Sequence, residues 1–244
     1  HILYSADKGG NEINHIYLMN EDGKISDLTP GENEKASFAG WSKDKKSMYY
    51  ISNKRNPKFF DFYKMKVDTW KSEMLYQNDN GINISDMSED ESWFSFSQTI
   101  TTSENKLFLT NRIDKSTIEL SVEPGSYSSS GFSNDNKYFF FITDVGEEFS
   151  YLVKYEIETG KEEVLFQTNW DVMYSYLSES EKYRVTAVNE DGKNTLFIKN
   201  LVNNSDVFFP AIPDGDIKGV RISKSEKKIR LTVGTSKKIG RAHV

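Results

Sequence analysis

Three features of the sequence predict an all-β fold assembled from repeated four-stranded units. The 244 residues include 13 Tyr and 16 Phe, side chains that pack well on a half-buried pleated surface. A serine-centred motif returns five times at near-constant spacing. Between its copies runs a second motif that reads strand, polar turn, strand. The 3.6-residue apolar periodicity of helix-pair solenoids is absent.

The serine motif comes first in each unit. Its copies are WSKDKKSMYYI from Trp41, MSEDESWFSFS from Met87, FSNDNKYFFFI from Phe132, LSESEKYRVTA from Leu177 and ISKSEKKIRLT from Ile222. The serines are Ser42, Ser88, Ser133, Ser178 and Ser223, spaced by 46, 45, 45 and 45 residues, each behind an apolar residue. Asp44, Asp90 and Asp135 stand two positions later; Ser180 and Ser225 replace them in the last two copies. Ser and Asp both bond nearby backbone amides, so S-x-D reads as a turn between a first strand, a, and a second, b.

The second motif supplies strands c and d. HIYLMNEDGKISDLT from His15, FYKMKVDTWKSEMLY from Phe62, LFLTNRIDKSTIELS from Leu107, YLVKYEIETGKEEVL from Tyr151 and LFIKNLVNNSDVFF from Leu196 each break at a polar turn such as Glu21-Asp22-Gly23-Lys24 or Glu158-Thr159-Gly160-Lys161. Residues of this kind tolerate positive φ or bond their own backbone. Alternation at Ile229, Leu231 and Val233 has the period of two expected of strands with one buried face.

Four antiparallel strands in about 45 residues is the size of one β-propeller blade. The expected architecture is an incomplete propeller with four full blades, at about 36–77, 82–122, 127–167 and 172–212. Partial blades flank them at 2–30, lacking strand a, and at 217–235. The last residues, KIGRAHV from Lys238 to Val244, read like the in-frame translation of a sequencing adapter, so 238–244 is expected to be non-native and the chain a fragment of a longer protein.

Catalytic motifs fare poorly. GWSKD from Gly40 and GFSND from Gly131 approach the G-x-S-x-G nucleophile elbow, with Asp in place of the final glycine. An elbow leads into a helix, whereas a strand follows here, and a nucleophile is needed once while this serine occurs five times. Ser42 therefore reads as a turn residue. The histidines are His1, His15 and His243, none at telling spacing from a carboxylate or serine. Asn78-Asp79-Asn80-Gly81 lacks the full spacing and closing Glu of a calcium loop. No catalytic residue, metal site or cofactor is expected. The lack of Cys excludes disulfides, thiolate metal sites and cysteine nucleophiles, and leaves the compartment unspecified. Net charge of −6 with interspersed signs argues against nucleic acid as a partner, and no apolar run is long enough for a membrane span.

The blade repeat resembles those of TolB-like proteins and of the prolyl oligopeptidase family. SADKGGNEINHIYLMNEDGKISDLTPG from Ser5, GWSKDKKSMYYISNKRNPKFFDFYKM from Gly40, and YLVKYEIETGKEEV from Tyr151 followed by TNWDVMY are similar to the N-terminal propeller of bacterial serine peptidases of that family. The resemblance covers residues 1–237. It implies a partner in cis, a C-terminal α/β-hydrolase domain carrying a Ser-Asp-His triad, and a propeller that admits short peptides to it while excluding folded proteins. The alternative is a TolB-like propeller that docks protein partners and has no catalytic activity. Substrate-facing candidates sit on the b-to-c loops, which share a face with the d-to-a connections opposite the S-x-D turns. They are Arg55 in NKRNPKFF, able to meet a substrate carboxylate or carbonyl, and Glu147 and Glu148 in DVGEEF. The glutamate pair is similar to the amine-holding glutamates of dipeptidyl peptidases in the family, but precedes strand c rather than an inner strand.

Overall fold

The computed structural model describes residues 1–208 and 215–234, and the backbone of 239–243. The described residues contain no helix, and none is therefore long and apolar enough to cross a membrane. They form six antiparallel sheets, taken strand by strand in chain order. The chain divides into two compact units, residues 1–84 and 85–244.

The first unit holds a three-stranded sheet of β1 (Ile2–Ala6), β2 (His15–Met19) and β3 (Ile25–Asp27). A complete four-stranded sheet follows, of β4 (Ala36–Trp41), β5 (Ser47–Asn56), β6 (Phe59–Lys66) and β7 (Ser72–Tyr76). Its second and third strands carry most of the buried residues, since each is paired on both edges. Met48, Tyr50, Tyr63 and Met65 from them pack with Ile16 and Ala36 into one core, with the Tyr50 and Tyr63 rings stacked at 5.1 Å. Offset aromatic stacking of this kind adds to the burial itself.

The next sheet is β8 (Asn83–Met87), β9 (Trp93–Thr99), β10 (Asn105–Asn111) and β11 (Thr117–Glu119). Two further four-stranded sheets belong to the second unit. One is β12 (Tyr127–Phe132), β13 (Tyr138–Thr143), β14 (Tyr151–Glu156) and β15 (Glu162–Phe166). The other is β16 (Asp171–Leu177), β17 (Tyr183–Glu190), β18 (Lys193–Asn200) and β19 (Ser205–Asp206). Facing sheets share cores: Leu107 and Leu109 of β10 meet Phe139 and Phe141 of β13, and Val185 and Ala187 of β17 meet Val220 and Leu231 of the last sheet.

That last sheet contains β20 (Asp216–Ile222), β21 (Ile229–Gly234) and β22 (Ile239–His243). The backbone of β22 pairs antiparallel with β21. The segment 238–244 expected to be adapter-derived otherwise lies outside the described residues, as do 209–214 at the end of the fourth expected blade. The fold is an incomplete β-propeller of four-stranded blades: four sheets are complete and two have three strands.

First strands carry a recurring irregularity. Their pairing with the second strand slips between Phe38 and Gly40, Ser129 and Phe132, Val172 and Tyr174, and Ile217 and Gly219. A bulge bends the strand and turns one side chain out of the alternation. At Gly131, with φ of +94°, that conformation calls for glycine.

Candidate functional site

The turns after the first strands are built alike. Ser42 Oγ donates to Asp44 Oδ1 at 2.7 Å and accepts the Ser47 N–H at 2.9 Å. Ser88 repeats this with Asp90 at 2.7 Å and the Trp93 N–H at 2.9 Å, and Ser133 with Asp135 at 2.7 Å and the Tyr138 N–H at 2.9 Å. Ser178 accepts the Tyr183 N–H at 2.9 Å, while Ser223 lies 3.1 Å from Ser225 and accepts the Lys228 N–H at 3.2 Å. The hydroxyl proton of the first three is committed to a carboxylate. The Lys46 N–H and the Ser42 hydroxyl hold Asp44 below the usual carboxylate range, and the Ser133 hydroxyl leads the same shift at Asp135. Such a serine anchors backbone; it is not poised to attack.

The fourth residue of every turn is left-handed without being glycine: Lys45, Glu91, Asn136, Glu181 and Glu226 have φ between 55° and 61°. Two of them reach across to a neighbouring turn of the second unit. Glu181 accepts the Asn134 N–H at 2.5 Å, and Glu226 accepts the Ser180 N–H at 2.8 Å and the Ser180 hydroxyl at 2.6 Å. Three consecutive sheets are thus linked through their turns. No pattern in the sequence announces these links, because they join residues 46 and 47 positions apart.

Histidine does not complete a catalytic set. His15 is buried and its Nδ1 lies 2.7 Å from Asp27 Oδ2, which suits an Nδ1–H donor; its Nε2 is buried without a partner. No group of three or more His, Asp or Glu suited to a metal occurs among the described residues.

The b-to-c loops lie at the opposite ends of the strands from the serine turns. In the first unit, β5 and β6 run on past their sheet partners as a hairpin closed near Pro57. Arg55 sits there as expected, but its guanidinium is engaged by the chain itself. Nε and Nη2 donate to the two oxygens of Asp61 at 2.7 and 2.9 Å, and Nη2 also reaches Asn78 O at 2.7 Å and Asp79 at 3.0 Å. Asp61 is fully buried and also accepts the Asn78 N–H at 2.8 Å and the Tyr63 hydroxyl at 3.2 Å. Burial pushes its carboxyl up, yet Arg55 and these donors outweigh it and hold it below the usual range. Arg55 is therefore the clamp between the hairpin and the d-to-a connection, a role its sequence neighbourhood did not reveal.

Glu147 and Glu148 are exposed on the loop between β13 and β14. Asp144 anchors that loop by accepting the Ser126 N–H at 2.8 Å, and Val145 O accepts the Tyr151 hydroxyl at 3.0 Å. On the same type of edge, between the β9–β10 loop and the connection from β11 to β12, opens a cleft of about 390 Å³. Sequence reasoning passed over it, since its walls are ITTSE and SVEPG, which read as ordinary turns.

Repeated antiparallel blades with serine-anchored turns, and no catalytic set among the described residues, define a propeller module. The chain belongs to the prolyl oligopeptidase N-terminal beta-propeller domain family, whose model matches residues 1–236. No curated protein sequence matches it. Among solved structures, one from a study of two prolyl endopeptidases is similar at TM-score 0.71 and 14% identity, covering 99% of this chain and 40% of that one. TolB from Acinetobacter baumannii gives 0.66 and 14%, over 99% of this chain and 60% of that one. Prolyl oligopeptidase B from Galerina marginata gives 0.66 and 14%, over 95% and 36%. At this identity the likeness is one of fold, and the chain spans less than two thirds of each of these proteins.

Proposed function

We propose that the chain is the substrate-gating propeller of a serine peptidase that hydrolyses short peptides. The single observation carrying this reading is the family match across residues 1–236. The catalytic step then belongs to an α/β-hydrolase domain joined after the last blade. Its triad serine forms an acyl-enzyme with the peptide, water releases it, and backbone amides hold the oxyanion. The propeller's part is exclusion: rigid blades leave room for an extended peptide and none for a folded substrate. The serine turns support such rigidity, with every described hydroxyl engaged in backbone anchoring.

Likeness to TolB over 99% of the chain favours a second reading, a protein-docking propeller without catalysis. Expression of the product of the longer source gene separates the two. The peptidase reading expects hydrolysis of a blocked short peptide, none of a folded protein of the same cleavage sequence, and no activity from the 244-residue chain alone. A longer product with no peptidase activity, or equal cleavage of the folded protein, overturns the gating role.

A further inference from the structure

The cleft beside β10 offers more than an empty groove. Its apolar wall is Ile100, Val122 and Pro124, with Ile100 50% and Val122 86% exposed. Three carboxylates, Glu104, Glu119 and Glu123, line it against one ammonium, Lys106. That ammonium is already committed to Glu119 at 2.7 Å. No cation among the described residues pairs with Glu104 or Glu123.

The floor is rigid and its polar groups are satisfied. The Asn105 amide accepts the Tyr127 N–H at 2.7 Å and donates to Tyr127 O at 2.7 Å and Ser97 Oγ at 3.1 Å. Ser121 accepts the Leu107 N–H at 3.1 Å. Gly125 seals one end: a Cβ there would stand 2.6 Å from Val145 and 2.9 Å from Asp144. The Asn105 amide and the Ser121 hydroxyl are thus engaged within the chain. What the cleft offers is aliphatic surface flanked by two unneutralised carboxylates.

From this charge complementarity we infer that the cleft binds a short peptide segment bearing a lysine or arginine beside an aliphatic residue. The aliphatic side chain lies on Ile100, Val122 and Pro124, and the cation lies between Glu104 and Glu123. Carboxylates matched to a cation favour partners of the right sign more than they add raw affinity. The inference deepens the gating proposal, and rests on it, by naming the substrate class that the propeller face prefers.

The test titrates the 244-residue chain with a blocked pentapeptide holding one lysine between alanine and leucine, and with its glutamate counterpart. Calorimetry or NMR at low salt follows the wild type, the double variant Glu104→Gln/Glu123→Gln and the control Glu158→Gln. The lysine peptide is expected to bind more tightly. The double variant should weaken it by roughly three- to tenfold and the control leave it unchanged, since exposed ion pairs contribute modestly. Raised salt should erase the preference. Equal binding of both peptides, no binding of either, or a double variant that binds like wild type overturns the cleft. None of these outcomes touches the gating role, which stands or falls on hydrolysis by the longer gene product.

Discussion

The left-handed residue in each serine turn allows one substitution to be made at equivalent positions with opposite expected results. Lys45 has φ of 57° and an exposed side chain. A left-handed conformation costs a residue with a Cβ about 1–2 kcal/mol, and glycine escapes that cost. Glycine also makes the unfolded chain more flexible, which returns about 0.5–1 kcal/mol of the gain. Lys45→Gly should therefore stabilise by about 0.5–1 kcal/mol, or roughly 1–4 °C in Tm for a chain of this size. Glu226 has φ of 55° and earns the same backbone relief. Its carboxylate, however, holds the Ser180 N–H and hydroxyl at 2.8 and 2.6 Å. Losing two half-exposed, charge-assisted hydrogen bonds costs about 1–2 kcal/mol together. Glu226→Gly should thus be neutral to about 1 kcal/mol destabilising. Urea unfolding of both variants beside the wild type, followed by circular dichroism, gives the comparison. Equal stabilisation by both would show that the link between turns contributes nothing, and destabilisation by Lys45→Gly would refute the strain itself.

Two other outcomes follow from the same geometry. Asp61→Asn removes the partner of a guanidinium whose side chain is 29% exposed, so the usual 3–5 kcal/mol for breaking a buried pair shrinks to about 2–3 kcal/mol; a urea midpoint unchanged from wild type would contradict the clamp. Because the folded Asp61 carboxyl lies below its ordinary value, its contribution is complete above about pH 4 and is lost as pH falls further, so the variant should lose less stability than wild type on acidification. Ser42 and Ser133 should resist a fluorophosphonate serine-hydrolase probe in the 244-residue chain, since their hydroxyls are engaged; mass-spectrometric labelling of either would revive the nucleophile reading.

The sheets were legible in the sequence because blade geometry repeats, so each serine and each polar turn reports the same local event. Copies as different as WSKDKK and ISKSEK still align, since the Ser Oγ takes the same amide five residues on. Long-range contacts carry no such periodicity. Arg55 looked free for a substrate because Asp61 lies across a hairpin and Asn78 in the following connection. Left-handed residues were hidden too, for Lys, Glu and Asn stand where glycine would have announced the conformation. The cleft escaped because its apolar residues come singly from two separate loops.

The measurement that bears most directly on the peptidase reading is the source gene, read through the Lys238 position and onward for several hundred codons. That reading expects the remaining blade strands, then a G-x-S-x-G elbow with Asp and His downstream of it. A reading frame that closes after one or two further blades would contradict it and leave a TolB-like docking propeller in its place.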